Sequence, residues 1–313
     1  MKIVFLDAKT IGEDIDLSGF DALGEVVKYG FSTAQEARER SKDADVLILN
    51  KVQVNEQTIG EADHLKLVCV TATGTNNLDK EYLDKRGITW RNVAGYSTES
   101  VAQHTFAMLF YLLEKLPYYD NYVKSEKYVN DVSFTHFAKA FHELSGMTYG
   151  IIGLGNIGRR VADIAKVFGC RVIYYSTSGR NSQPGYERVS FDELLEQSDI
   201  VSIHAPLDEN TLGLMNKEAF AKMKKSAILL NVGRGPIINE ADLAEALNNK
   251  TIAAAGLDVL SVEPMQEDNP LRGIKDSERL LITPHIAWAG VEARNRLMGI
   301  ILGQIKEFFK AHE

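Results

Sequence analysis

Apolar residues in this chain fall in short, nearly unbroken runs, and stretches with helical spacing separate them. Runs at 3–6, 46–49, 67–71 and 88–91 predict the strands of one unit. Runs at 148–152, 171–175, 200–203, 227–231, 253–258 and 280–282 predict the strands of a second. Most are rich in Val, Ile and Leu without alternation, as expected of parallel strands covered on both faces. Between them, apolar residues recur at i, i+3 and i+4, as in 239–247 and in 158–168 (Val161, Ile164, Ala165, Phe168). Strand and helix in alternation predict an α/β protein with two doubly wound parallel sheets.

Two segments break the alternation. Residues 97–116 predict a long helix, with Ser97, Thr98 or Ser100 as candidate caps. Residues 117–147 are less regular and carry Tyr118, Tyr119, Tyr122, Tyr128, Phe134, Phe137 and Phe141. An aromatic excursion of this length suits a partner surface, most simply a second copy of the chain, so a homodimer is expected.

Composition narrows the class. The 313 residues allow about two domains, and 45% apolar with 25% charged residues is ordinary for a globular protein. A net charge of −8 argues against a nucleic-acid partner. Two cysteines, Cys69 and Cys170, cannot form a disulfide scaffold and read as small buried hydrophobes. The N-terminal apolar run is too short for a secretory signal, and 106–113 is too short to span a bilayer, which takes about 20 residues. A cytoplasmic protein without membrane or metal is expected.

The strongest chemical signal lies where the run 148–152 meets Gly153-Leu154-Gly155-Asn156-Ile157-Gly158. A strand, a glycine-rich turn and a helix in that order form a pyrophosphate cradle. Gly153 makes the turn, Gly155 admits the phosphates, and Gly158 lets the helix pack closely. The first helical amides, with the helix dipole behind them, then face the anion. NAD sites usually place an acid at the end of the next strand to take the ribose 2′-hydroxyl. Here Ser176 stands in its place, followed by Thr177, Ser178, Gly179 and Arg180. Neutral donors and one cation accept either NAD(H) or NADP(H), with a slight lean to NADP(H).

Three later stretches carry chemistry. Asn231-Val232-Gly233-Arg234-Gly235-Pro236 offers a guanidinium for a carboxylate. Residues 256–264 place Asp258 at a strand end and Glu263 on the loop beyond it. Pro284-His285 closes a further strand. All three follow strands of the nucleotide unit, so they should share its ligand crevice.

In combination and in order, these motifs resemble the D-isomer-specific 2-hydroxyacid dehydrogenases over nearly the whole chain. The resemblance implies a Rossmann domain, residues 99–287 with 117–147 as a dimer arm, inserted into a flavodoxin-like substrate domain, 1–98 and 288–313. It also implies a hinge-closed crevice. Arg234 would bind the substrate carboxylate and carbonyl, His285 would be the acid–base, and Glu263 would pair with it. Asp258 and Val101 would lie near the nicotinamide, with Pro206, Thr211, Val232 and Gly233 among further cofactor contacts. The loop 71–77 looks like the family's carboxylate loop, so Thr73 and Gly74 join the substrate set. Asn50, Lys51, Tyr96 and Trp288 would flank the pocket.

A carboxylate paired with His285 favours the charged imidazole needed for reduction. His104 and His204 lack such a context and read as structural. Gln103 departs from the Glu often found there in the family. Glu263 speaks against formate, where relatives carry Gln. The short segment after His285 leaves no room for the regulatory domain of many phosphoglycerate-oxidising relatives. The Tyr-Tyr-Ser-Thr-Ser-Gly stretch resembles glycerate dehydrogenases, also called hydroxypyruvate reductases. Hydroxypyruvate and glyoxylate are therefore the first substrates expected, and pyruvate (a D-lactate dehydrogenase) the next. The alternative from another class is a nucleotide-sensing, corepressor-like protein.

Overall fold

The computed structural model describes residues 1–180, 182–276 and 278–311; the final two positions of the expected 288–313 segment lie outside these. Two compact units are present, Met1–Ser97 with Ala289–Glu313, and Thr98–Trp288.

The first unit is built on β1 (Lys2–Phe5), β2 (Glu25–Lys28), β3 (Val46–Leu49), β4 (Leu67–Val70) and β5 (Thr89–Arg91). They pair in parallel in the order β2-β1-β3-β4-β5, the flavodoxin-like winding. Helices α1 (Ala34–Ser41), α2 (Glu56–Ile59) and α3 (Lys80–Arg86) lie between strands. Thr33 and Asn55 start α1 and α2 with capping boxes, satisfying amides that the first turn leaves free. Val46–Leu49 and Leu67–Val70 are wholly buried, which explains their unbroken apolar runs.

The second unit opens with α4 (Thr98–Leu113) and α5 (Leu116–Lys124). Its sheet comprises β6 (Thr148–Ile152), β7 (Arg171–Tyr175), β8 (Glu187–Arg188), β9 (Ile200–Ile203), β10 (Ile228–Asn231), β11 (Ala254–Leu257) and β12 (Leu280–Ile282). The parallel order is β12-β11-β10-β9-β6-β7-β8, the dinucleotide-binding winding, which reverses between β6 and β9. Helices α6 (Asn156–Val167), α7 (Phe191–Gln197), α8 (Lys217–Lys222) and α9 (Glu240–Asn248) complete it. The last helix, α10 (Val291–Lys310), belongs to the first unit. One apolar core lies on each face of the larger sheet, with α4 and α6 contributing to one and α7 to α9 to the other. Gly256 makes room for α4: a Cβ there would lie 3.2 Å from the Met108 side chain.

Two strands escape the apolar pattern. β2 and β8 are sheet edges, and Glu187–Arg188 is exposed, so neither needs a buried run. The stretch after α4 also differs from expectation, because α5 gives regular structure to its first quarter. Beyond α5, the His136 ring stacks on Tyr122 at 3.7 Å and its Nε2 meets Tyr118 Oη at 2.9 Å. Val132, Phe134 and Phe137 are 103%, 88% and 90% exposed.

Candidate active site

Strand register sets the stage in the second unit. Tyr175, Ile152 and Ile203 align, as do Ile203, Asn231, Leu257 and Ile282. The residues that follow them, Ser176, Gly153, His204, Val232, Asp258 and Thr283, therefore leave the sheet along one edge. Arg234, Glu263 and His285 stand on three of those loops.

Buried Asn231 shapes the Arg234 loop. Its Oδ1 accepts from Gly233 N at 3.0 Å, and its Nδ2 donates to Arg234 O at 2.9 Å. Gly235 brings this loop against the next one: a Cβ there would lie 1.9 Å from the Leu260 carbonyl carbon. Arg234 donates through Nη1 to Gly233 O at 2.7 Å. Its Nε and Nη2 have no partner among the described residues and are open to a two-point grip on a carboxylate.

Glu263 is held in turn. Its Oε1 accepts from Leu260 N at 3.0 Å, and its Oε2 meets His285 Nδ1 at 2.7 Å. Glu240, at the start of α9, steadies the loop by accepting from Ser261 N at 2.6 Å and Asn269 Nδ2 at 2.7 Å. With Nδ1 engaged by a carboxylate, the exchangeable position of His285 is Nε2, which has no partner among the described residues.

His285 has φ +56°, a left-handed conformation costing about 1–3 kcal/mol for a residue with a side chain. Asp258 over-determines it. His285 N donates to Asp258 O at 2.8 Å. The carboxylate, 1% exposed, accepts from Thr283 Oγ1 at 2.6 Å, Ile286 N at 2.8 Å and Ala287 N at 2.8 Å. The turn 283–287 is thus wrapped around one buried acid.

His104, read from sequence as structural, reaches this cluster from α4. Its Nε2 lies 3.0 Å from Thr283 Oγ1 and 3.6 Å from Asp258 Oδ1. One helical turn earlier, Ser100 lies inside α4, and its Oγ donates to Ala287 O at 2.6 Å. No local motif marks either residue. The available signal was their i, i+4 spacing on the helix that covers these strands. His204 is a buried histidine of the expected kind. Its Nε2 meets Ser202 Oγ at 2.9 Å, and burial pushes it down to about 3, so it is neutral.

The glycine turn has the shape a dinucleotide needs. Gly153 has φ +90°, and a Cβ there would lie 2.7 Å from Ala205 N. A Cβ on Gly158 would lie 2.3 Å from Gly153 O, so α6 sits tight on the turn. At Gly155 a Cβ would meet nothing within 4 Å: the cradle is open there. No side chain caps α6, so the amides at Asn156 and Ile157 face an uncapped helix start. Ser176 is 4% exposed, and its Oγ has no partner among the described residues. Ser178 Oγ accepts from Arg180 N at 3.3 Å; Arg180 is exposed, and Thr177 half-buried. Thr211 Oγ1 donates to Pro206 O at 2.7 Å and accepts from Asp208 N at 2.8 Å, closing the loop after β9. A Cβ on Gly233 would lie 3.1 Å from Ala205 O, so β9 and β10 end side by side, with Val232 half-buried. Val101 is buried on α4, and Trp288 is half-buried at the end of this unit.

Three expected substrate residues belong to the first unit. Lys51 is exposed, on a turn whose Asn50, Lys51 and Val52 amides donate to buried Asp7 at 2.7–3.2 Å. Asn77 Nδ2 holds the same turn through Asn50 O and Val52 O. Thr73 Oγ1 donates to Val93 O at 2.9 Å, while the Thr73 and Gly74 amides have no internal partner among the described residues. Asn50 is half-buried and Tyr96 buried.

Residues 106–287, more than half of the chain, match the NAD binding domain of D-isomer specific 2-hydroxyacid dehydrogenases. The chain belongs to that family. It is an oxidoreductase that uses a nicotinamide dinucleotide and acts on the CH–OH group of 2-hydroxy acids. It is 38% identical over 319 residues to the hydroxypyruvate reductase of Blautia hydrogenotrophica, covering 99% of this chain and 97% of the relative. Among solved structures it resembles an acyclic imino acid reductase in complex with NADPH and D-Arg, at 28% identity and a TM-score of 0.87. That match covers 99% of this chain and 98% of the other. The D-lactate dehydrogenase of Aquifex aeolicus, complexed with NAD and lactic acid, matches at 27% identity and a TM-score of 0.85. It covers 99% of this chain and 96% of the other. No helix among the described residues is long and apolar enough to cross a membrane.

Proposed function

We propose that this dehydrogenase reduces a small 2-keto acid, hydroxypyruvate or glyoxylate, to the D-2-hydroxy acid. The observation that carries the reading is the His285 Nδ1–Glu263 pair at 2.7 Å, on the loops after β12 and β11, with Arg234 on the loop after the adjoining β10 and two of its guanidinium nitrogens without a partner among the described residues. Arg234 takes the substrate carboxylate and polarises its carbonyl oxygen. His285, steered by Glu263, gives the proton from Nε2 to that oxygen and takes it back in the oxidation direction. From the first unit, the Thr73 and Gly74 amides and Lys51 are proposed as further substrate contacts, with Trp288 from the second. The bound nicotinamide supplies or accepts the hydride. Its pyrophosphate is assigned to Gly155, Asn156, Ile157 and Gly158, and its nicotinamide end to Val101, Val232, Gly233 and Asp258. The loop tied by Pro206 and Thr211 completes the cradle. Polar Asn50 and Lys51, and the hydroxypyruvate reductase relative, support a hydroxylated substrate. The enzyme reading stands over the sensor alternative.

Cofactor preference is assigned to Ser176. Its buried, unpartnered hydroxyl replaces an acid that would repel a 2′-phosphate, and Thr177, Ser178 and Arg180 add donors and charge, which favours NADP(H) slightly. Ser176→Asp should lower kcat/KM with NADPH about 5- to 150-fold relative to NADH, matching the roughly 1–3 kcal/mol of a lost hydrogen-bonded anion. The stretch 117–147 is assigned as a dimer arm, supported by exposed Val132, Phe134 and Phe137. Light scattering should report a dimer, and Phe134→Ser with Phe137→Ser should shift it to monomer.

The decisive assay follows oxidation of NADH and NADPH at 340 nm with hydroxypyruvate, glyoxylate and pyruvate. Highest kcat/KM with hydroxypyruvate or glyoxylate supports the assignment. Preference for pyruvate makes the protein a D-lactate dehydrogenase. No turnover with any pair overturns the mechanism.

A further inference from the structure

Thr283 Oγ1 sits between a buried carboxylate and a histidine ring. A hydroxyl carries one proton, and Thr283 gives its proton to Asp258 Oδ1 at 2.6 Å. Toward His104 Nε2, 3.0 Å away, it can therefore only accept, which fixes the His104 proton on Nε2. The result is a directed chain, His104 Nε2–H to Thr283 O–H to Asp258. Its far end accepts from Ile286 N and Ala287 N and carries the carbonyl that takes His285 N. Ser100, one turn back on α4, pulls on Ala287 O at the other end of the same turn. Two side chains at i, i+4 on one helix thus grip both ends of the segment that keeps His285 at φ +56°.

We propose that His104 is a positioning residue for the reaction, holding the left-handed His285 turn in register through Thr283 and Asp258. The proposal rests on His285 being the acid–base. His104 touches no reacting atom in this scheme. It orients Thr283, and through it the carboxylate on which the turn is wound. Without its N–H, the Thr283 hydroxyl keeps only the Asp258 bond that orients it, and the carboxylate loses the ring N–H that lies 3.6 Å from Oδ1. A turn stored in a strained conformation then relaxes, and a shift of about 1 Å at a reacting atom costs up to about a hundredfold in rate.

The test compares His104→Phe, which keeps a ring and loses the donor, with His104→Gln, which offers an N–H. The expected result for His104→Phe is a kcat about ten- to a hundredfold lower with hydroxypyruvate, while the Kd for NADH and NADPH, read by nucleotide fluorescence, stays within about twofold. His104→Gln recovers most of the loss. His104→Phe combined with Thr283→Val is no slower than the slower single variant, because both lie on one path. If His104→Phe does not fold, Thr283→Val against Thr283→Ser makes the same comparison. A kcat within about twofold of the parent for His104→Phe (or, where that variant does not fold, for Thr283→Val), no rescue by Gln, or fully additive losses would overturn the proposal. His285→Asn is run alongside. If it retains parental turnover, the acid–base assignment itself fails; if it is inactive while His104→Phe is unaffected, only the role of His104 fails.

Discussion

The same device appears once in each unit, and its two copies differ in a way that separates a scaffold from a catalytic mount. Asp7 follows β1 and accepts the amides of Asn50, Lys51 and Val52, which follow the adjacent β3. Asp258 follows β11 and accepts the amides of Ile286 and Ala287, which follow the adjacent β12. In both, parallel register brings an acid at one strand end to the loop of its neighbour, and the carboxylate replaces ladder hydrogen bonds that have run out. Among the described residues the Asp7 carboxylate accepts from backbone donors alone. Asp258 also takes a side-chain hydroxyl, and α4 adds His104 and Ser100 around the same turn. The extra side chains occur where the backbone is strained, at the turn proposed to place the proton; the Lys51 turn is only held.

Removing the chemistry from the unit that holds the better-supported copy should have the largest effect. Arg234→Ala is expected to lower kcat by about 10²–10³, by analogy with lost oxyanion donors; steady-state turnover near the parent value would remove it from the mechanism. Asp258→Ala should follow closely. It strands the Ile286 and Ala287 amides and unwinds the His285 turn, and a kcat loss of about a hundredfold is expected with intact secondary structure by circular dichroism.

Asp7→Ala tests whether the first copy is a scaffold. It leaves three part-buried amides without an acceptor, so urea unfolding should show a loss of about 1–2 kcal/mol. KM for the keto acid should rise more than kcat falls. A kcat loss as deep as that of Asp258→Ala would erase the distinction.

The pH dependence of the Asp7 clamp has a definite sign. Burial raises the Asp7 carboxyl above its ordinary value, and the Lys51, Asn50 and Val52 amides pull it back only in part. The folded chain therefore binds this proton more tightly than the unfolded chain. That contribution is present in full below the ordinary carboxyl range and is lost as pH rises through the folded value. Relative to Asp7→Asn, the parent protein should lose stability from acid toward neutral pH, measured by urea midpoints; the opposite slope would show that the amide bonds outweigh burial.

The smallest effect concerns the thiols, one in each unit. Burial pushes Cys69 up to about 12 and Cys170 up to about 11, so neither is a thiolate near neutral pH. Folded protein treated with iodoacetamide should keep both thiols and its full activity. Fast labelling would mean that one of the sheets opens.

The sequence by itself determined the two wound sheets and the loops that carry chemistry. Buried parallel strands such as Val46–Leu49 and Ile200–Ile203 must be apolar on both faces, so their burial is written locally. The glycine turn at Gly153–Gly158 and the stretches around Arg234, Glu263 and His285 are equally local, because each places special backbone or chemistry within a few residues. Edge strands β2 and β8 left no such record, since an exposed edge imposes no apolar run. Asp7 and His104 left none either. Asp7 lies 44 residues from Lys51, and His104 lies 179 from Thr283. A hydrogen bond across such a span depends on strand order and register, and on which face of α4 meets the sheet. Those are properties of the packed fold, so only the tertiary structure could turn a histidine without local context into a support for the catalytic turn.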